Sequence, residues 1–360
     1  MTPLPSPLLL IGVGGAGAAM VRGILRAYGP GVRALVLDTD AQSGGNGDLP
    51  FVLLGGNRLN GRGTGGEPAN ARASFQDSPA LIDHLLDGVR TAVVVTALGG
   101  GTGGGATGEL LKHLHTLGIV TLLFATLPFA FEGEARMRLA RTSAGPVCQN
   151  ADVSVQLPLD QLVAAAETDN MKEALIRGVD TVATGVTLLW RLLEKPGYIR
   201  LDAERLRNML TGCGRAQFAT ATAAGEDRVN TILARLAEHP LLKHDEARPP
   251  VRTMLVGVLA GDDLRLSEVA AVASGLSAAF GPRAVLELGT VNDEATFSGR
   301  LSVVTLLFEE SATPATTNTP ADVKHPTLTS SRFRNAEKTY WHDEDLDVPT
   351  YTRRQLTLDR

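Results

Sequence analysis

Ala97-Leu98-Gly99-Gly100-Gly101-Thr102-Gly103-Gly104-Gly105-Ala106-Thr107-Gly108 follows the apolar run Thr91-Ala92-Val93-Val94-Val95-Thr96, an order that reads strand, loop, helix. Six of the seven residues from 99 to 105 are glycine, the residue that loses most backbone freedom on folding. Such a density serves geometry. Glycine reaches positive φ and lets backbone N–H groups approach a bulky anion, and a helix expected over Glu109–Leu117 turns its positive dipole end toward the same place. The stretch therefore predicts a phosphate cradle over Gly99, Gly100, Gly101, Thr102, Gly103, Gly104 and Gly105, with a hydroxyl from Thr102. A flexible linker would lie between domains, whereas this run has apolar segments on both sides. The lysine of a Walker loop, GxxxxGK[ST], is missing.

Composition sets the frame. At 360 residues the chain is long enough for two domains with their own cores. With 44% hydrophobic and 20% charged residues it has the make-up of a soluble globular protein. A net charge of −5 gives no basic field, so no nucleic acid partner is expected. Two cysteines, Cys148 and Cys213, exclude a disulfide framework and fit a reducing cytoplasm. No Lys or Arg precedes Arg22, so the charged region of a signal peptide is missing, and the run Ile119–Phe131 is too short and too broken to insert in a membrane.

Leu8–Ile11 reads as a buried strand, followed by a glycine turn at Gly12, Gly14 and Gly17 and a helix over Ala18–Tyr28. These glycines satisfy GxGxxG, and Asp38 closes a second strand, Arg33–Leu37, about 20 residues on, as a dinucleotide-binding fold requires. An NAD-linked oxidoreductase is thus open at this point. Gly61-Arg62-Gly63-Thr64-Gly65-Gly66-Glu67-Pro68 forms another glycine loop before a helix starting near Ala69. Three glycine loops, each read between strand and helix, argue for a triphosphate held from several sides. A helical apolar face follows over Lys172–Glu194: Leu175, Ile176, Val179, Val182, Ala183, Val186, Leu189 and Leu193. His113 and His115, two apart in a helix, face different ways, and no protein-held metal site is expected.

The spelling GGGTGGG resembles the signature of the tubulin/FtsZ family, and collinear matches follow. Asp38-Thr39-Asp40-Ala41-Gln42 is similar to the family's NTDAQ, residues 61–68 to its γ-phosphate loop, and Pro128–Met137 to its KPFxFEGxxRM, which implicates Glu132 and Arg136 in sugar and phosphate contacts. From the residues alone, Glu132 and Arg136 read as a surface i,i+4 ion pair. Pro158–Leu162 stands where the family has PNDKL, with Leu159 in place of a guanine-reading asparagine. Counting back from Lys195-Pro196-Gly197 puts Asp180 at the guanine-binding aspartate and Ile176 where an aromatic stacks on the base. A carboxylate there is the stronger determinant, because its loss leaves two buried purine donors unpaired, at roughly 1–3 kcal/mol each.

Tyr198–Leu210 resembles the loop whose NxDxxD pattern completes the active site of the neighbouring subunit. Asp202 matches the first aspartate, Arg200 replaces the asparagine and Arg205 the second aspartate, so Asp202, Glu204 and Arg205 are the candidate catalytic residues. Either the arginines abolish water activation, or one of them acts across the interface as an arginine finger. Shorter matches run on through residue 310. Ser311 to about Thr339 has a linker's composition, and Asp343–Gln355 closely resembles the family's tail peptide. That tail implies partner contacts through Leu346, Val348, Pro349, Tyr351, Arg353 and Arg354.

The resemblance implies an α/β fold: a Rossmann-like GTPase domain with a parallel sheet (1–171), a core helix (172–196), a second α+β domain that activates hydrolysis (197–310), a disordered linker (311–340) and a tail peptide (341–360). It implies GTP or GDP with Mg²⁺, held at Gly14, Gly15, Ala16, Gly17, Ala19, Gly65, Gly66, the 99–105 cradle, Glu132, Arg136 and Asp180. The expected function is GTP-dependent head-to-tail assembly into filaments at the division site in the cytoplasm. Partners would be further copies, a more orthodox family member, and membrane adaptors and assembly regulators bound by the tail. Departures at Ala18, Ala19, Glu67, Leu159, Ile176, Arg200 and Arg205 all fall in the site and keep a second reading open, a weakly hydrolysing structural or regulatory paralogue.

Overall fold

Leu8–Val13 (β1) is buried at all six positions, as a strand covered on both faces must be. It runs directly into α1 (Gly14–Tyr28), and the alternation of strand and helix continues. The strands are β2 (Ala34–Asp38), β3 (Phe51–Leu53), β4 (Thr91–Ala97), β5 (Val120–Leu127), β6 (Val153–Pro158), β7 (Gly214–Ala224), β8 (Val251–Ala260), β9 (Val285–Asn292) and β10 (Arg300–Glu309). The remaining longer helices are α2 (Pro68–Gln76), α3 (Gly101–Thr116), α4 (Glu134–Cys148), α5 (Met171–Glu194), α6 (Ala203–Leu210), α7 (Arg228–Ala237) and α8 (Leu266–Phe280).

This computed structural model describes residues 7–29, 31–45, 47, 49–77, 79–163, 170–195, 197–242, 250–309, 340–341 and 344–345. The chain divides into two units, Met1–Thr313 and Pro314–Arg360. Of the second, a short antiparallel pair, Tyr340–Trp341 with Glu344–Asp345, is described. The expected linker as far as Thr339 and the tail residues Leu346, Val348, Pro349, Tyr351, Arg353 and Arg354 lie outside the described residues.

The first unit holds one ten-stranded sheet in the order β3-β2-β1-β4-β5-β6-β7-β10-β8-β9. Pairing is parallel from β3 to β7, antiparallel from β7 to β10 and β10 to β8, and parallel again from β8 to β9. The seam between the halves is narrow, with Val153 opposite Gly214 and Ser154 opposite Arg215. Helix α5 bridges it. Val186, Leu189 and Trp190 of α5 share one core with Val93 and Phe124 on one side and Phe218, Leu255 and Val304 on the other. Phe124 and Phe218 meet edge to face at 5.0 Å across the seam.

Helix α5 runs parallel to α1. Arg26 lies 3.9 Å from Asp180, and Tyr28 donates its hydroxyl to Glu194 at the far ends of both helices. Burial and the Glu194 carboxylate push the Tyr28 phenol well above its ordinary range.

Several boundaries differ from the sequence reading. Helix α3 begins at Gly101 rather than Glu109, so Gly101, Gly103, Gly104 and Gly105 belong to its first turns. Packing overrides their poor helix propensity: a Cβ on Gly103 would overlap the Ala97 carbonyl oxygen, and one on Gly105 that of Pro68. Helix α1 likewise starts at Gly14, not Ala18. The loop 61–67 follows a helical turn, Gly56–Leu59, so it joins two helices rather than strand to helix. On α5 the apolar face from Val179 onward is packed, but Leu175 and Ile176 are 37% and 48% exposed.

Candidate functional site

Strand β1 continues into β2 on one side, while its other neighbour, β4, continues into β5. Between β1 and β4 the chain order reverses, and a crevice at the carboxyl ends of those strands is where open α/β sheets bind ligands. Two helices start there. Val13 and Gly100 are the N-caps of α1 and α3, neither supplies a capping oxygen, and neither first turn holds an acid. The leading N–H groups of both helices thus keep their donors for an outside acceptor, and both positive dipole ends point at it.

The two helix starts touch. A Cβ on Gly14 (φ +77°) would lie 3.5 Å from both the Gly103 nitrogen and the Thr102 Cβ. Gly17 lets α1 lie on β4, since a Cβ there would come within 2.8 Å of the Val95 carbonyl. Gly100 and the exposed Gly15 and Ala16 keep the mouth open, and nothing lies within 4 Å of a Cβ on Gly100.

Loop 61–67 is pinned over this mouth. Ala41 N–H donates to the Gly61 carbonyl at 3.0 Å and Gly63 N–H to the Thr39 carbonyl at 3.1 Å. The Thr64 hydroxyl fills the space a Gly101 side chain would take, and Asn70 Nδ2 donates to the Thr64 carbonyl. Gly65 and Gly66, at φ +66° and +89°, are exposed with open space around them. Thr39 and Thr102 share a buried hydrogen bond of 2.8 Å that joins the end of β2 to the first turn of α3. Thr39 and Thr64 were not singled out from sequence, although each sits inside a motif that was; a lone hydroxyl residue gives no spacing signal.

Arg136 joins the cluster through its main chain, because Gly99 (φ +94°) packs within 2.9 Å of its carbonyl oxygen, measured from a Cβ position. The Arg136 guanidinium pairs with Glu132 at 2.9 Å, and the second Glu132 oxygen accepts from Phe129 N–H. Gly104 and Gly105 stand apart from the mouth. Gly104 N–H already bonds the Gly100 carbonyl at 3.1 Å, and both glycines admit neighbours, Ser143 and Pro68. For those two the missing side chain serves packing. Ala19 is half-buried on α1, and Asp180 is more than half exposed, facing Arg26; the contacts joining the three loops do not include them.

Two carboxylates near the mouth are engaged. Asp38 is 3% exposed and accepts from Thr39 N–H at 2.7 Å and the Ser43 hydroxyl at 2.5 Å. Held so, it offers nothing to a ribose, which removes the main support for the dinucleotide reading. Asp40 accepts from Gln42 N–H at 2.9 Å. Among the described residues no three His, Cys, Asp or Glu side chains converge on a cation site. Mg²⁺ is ordinarily held by one or two carboxylates together with substrate phosphates, and the oxygen donors around the mouth fit that cation rather than a softer metal.

Asp202, Glu204 and Arg205 are not at the mouth. From Gly14 helix α1 runs about 20 Å to Tyr28, beside the last turn of α5, and the loop bearing these residues follows that turn. Asp202 caps α6, its Oδ1 accepting from Arg205 N–H at 2.7 Å. Glu204 pairs with Arg207 at 3.1 Å, and Arg205 with Glu287 on β9 at 2.5 Å. Ile199, Arg200, Asp202 and Arg205 line a cavity of about 240 Å³ with Glu287.

Residues 7–167 match the GTPase domain of the tubulin/FtsZ family. A cell division protein FtsZ from Pseudomonas putida is 30% identical over 291 residues, 80% of this chain and 73% of the relative. The chain belongs to the tubulin/FtsZ family. A further FtsZ, from Pseudomonas aeruginosa, is 28% identical over 353 residues, which takes in 96% of this chain and 88% of that one. Among solved structures, an empty FtsZ dimer from M. jannaschii matches with a TM-score of 0.77 at 24% identity, covering 85% of this chain and 89% of that chain. At that identity the likeness is one of fold, and it is the FtsZ fold that unites the parallel sheet, the core helix α5 and the second half-sheet.

Proposed function

We propose that this FtsZ-family chain binds GTP at the mouth between α1 and α3, assembles head to tail, and hydrolyses GTP where one subunit's loop 198–205 meets the next subunit's cradle. One observation supports this: the glycine-lined mouth and the loop carboxylate Asp202 lie toward opposite ends of α1 and α5, so only a second copy brings them together. Such an interface joins unlike surfaces and propagates as a filament. The cradle end exposes Phe131, Met171, Leu175 and Ile176, and the other end Tyr198 and Ile199, apolar surface suited to burial between subunits.

In this reading Gly14, Gly15, Ala16, Gly17, Gly65, Gly66, Gly99–Gly101, Thr102 and Gly103 cradle the phosphates, Glu132 and Arg136 flank them, and Asp180 reads the base once Arg26 yields. Bound Mg²⁺ would neutralise phosphate charge as the γ-phosphoryl group is transferred to water. Asp202 keeps one carboxylate oxygen for orienting that water. The site of action is the division ring in the cytoplasm, with the tail as the contact for adaptors and regulators; the match that spans 96% of the chain extends into that tail.

The test is phosphate release from GTP and Mg²⁺ against protein concentration. Activity per molecule that rises above a threshold concentration supports a site built from two subunits; activity independent of concentration refutes it. A second reading, a structural or regulatory paralogue, is favoured by one finding. Asp202, Glu204 and Arg205 are each bonded within their own subunit. Negligible release by protein that binds GTP and joins filaments selects it.

A further inference from the structure

Glu67 is the N-cap residue of α2, yet its side chain makes no capping bond. It is exposed and has no hydrogen-bond or ion-pair partner among the described residues, in contrast to Asp38, Asp40 and Glu132 around the same mouth. Its main chain is fixed against the cradle. The Glu67 nitrogen stands 3.0 Å from where a Cβ on Gly101, the first residue of α3, would lie, and Pro68 wedges against Gly104 and Gly105. The main chain of Glu67 is therefore anchored beside the start of α3, and its side chain is exposed there.

Left alone, that placement is unfavourable, because a negative charge anchored this near a triphosphate repels it. A divalent cation between the two converts repulsion into a bridge. Magnesium suits the position, since it takes one or two carboxylates plus substrate phosphates and does not require an all-protein cage. Asp38 and Glu132 have both carboxylate oxygens engaged and Asp40 has one, so Glu67 is the acid here with neither oxygen bonded among the described residues.

We propose that Glu67 is the protein's own ligand, direct or through water, for the divalent cation that enters with a nucleoside triphosphate; this rests on the reading of the α1–α3 mouth as a nucleotide-phosphate site. Its consequence is that nucleotide affinity in this chain depends on magnesium through Glu67, and more for GTP than for GDP, whose γ-phosphate is missing.

The experiment is equilibrium binding of GTP and GDP to the full chain, below any assembly threshold, with Mg²⁺ and with EDTA, for wild type, Glu67→Gln and Glu67→Asp. In wild type Mg²⁺ strengthens GTP binding. In Glu67→Gln that advantage shrinks about 10–100-fold, the range by which shell partners tune metal affinity, and binding in EDTA rises. Glu67→Asp retains most of the advantage, and Mn²⁺ titrated into the GTP complex and followed by electron paramagnetic resonance binds more weakly in Glu67→Gln. An equal Mg²⁺ advantage in wild type and Glu67→Gln overturns the assignment, as does a uniform gain in affinity with and without Mg²⁺. Wild-type protein that binds no GTP in either condition overturns the underlying phosphate-site reading instead. Circular dichroism shows an intact fold in all variants, because the Glu67 side chain touches nothing whose loss would unfold the chain.

Discussion

Arg205 rests its guanidinium on the carboxylate of Glu287, 2.5 Å away, and its own N–H donates to Asp202, the residue that caps α6. The arginine of the loop proposed to bridge subunits is thus tied down inside its own subunit. The pair fixes the start of α6, and with it the direction of the remaining Asp202 oxygen. Because Arg205 is 71% exposed, the pair contributes little to stability, within about 1 kcal/mol. Arg205→Ala should leave unfolding and GTP binding close to wild type and lower the concentration-dependent phosphate release several-fold. An increase on Arg205→Asp would refute any role for Arg205 as a finger.

Asp202 has two separable roles, cap and carboxylate. Asparagine caps a helix about as well as aspartate, whereas alanine costs about 0.5–2 kcal/mol. Asp202→Asn should therefore keep wild-type stability in urea unfolding and lose GTP hydrolysis, while Asp202→Ala loses both. If Asp202→Asn hydrolyses GTP normally, the aspartate acts only as a cap.

The glycines of the cradle divide in the same manner. Gly103→Ala improves helix propensity yet forces a methyl group into the Ala97 carbonyl, so it should destabilise by about 1–3 kcal/mol, read from thermal or urea unfolding. Gly100→Ala has φ −106° and open space, and should leave stability unchanged. Its methyl group projects into the mouth, so its effect belongs to GTP affinity, measured by direct titration.

This division explains what the sequence could and could not tell. Buried strands announced themselves as runs of Val, Leu and Ile, and the switch-point geometry follows from Gly12, Gly14 and Gly17 with the 99–105 run. The extent of α3 did not, because a string of glycines reads as loop until Pro68, Ala97 and Ser143 are seen crowding it. Strand β7 also passed unnoticed: Gly214–Ala224 is mostly Ala and Thr, with Arg215, Gln217 and a single Phe, too little contrast for a period of two to show. Leu175 and Ile176 continued the helical stripe of α5 but lie beyond the end of its packing partners, a boundary that periodicity does not carry. Partners such as Glu287 for Arg205, 82 residues apart, are fixed only by the sheet that brings β9 beside α6.

The contact between α5 and the residue that follows β9 supplies the last prediction. Arg191 of α5 is 6% exposed and donates to Asp293 at 2.9 Å, and Lys195 reaches the same Oδ2 at 2.8 Å. The hydrogen bond from Lys195, aided by Thr296 and Arg191 and opposed by burial, holds the Asp293 carboxyl below its usual range. A carboxyl depressed on folding contributes stability above its unfolded pKa, about 3.9, and that contribution fades as pH falls from there through the lower folded value. Asp293→Asn removes the charge and leaves the buried Arg191 guanidinium only its long contacts with the Ala27 and Tyr28 carbonyls and the Tyr28 ring, which should cost up to about 3–5 kcal/mol at neutral pH. The loss should be largest at neutral pH and shrink below pH ~4, where wild type itself gives up the pair. Urea unfolding of both proteins from pH 3 to pH 7 checks this; parallel stability curves would mean that Asp293 is not the linked group.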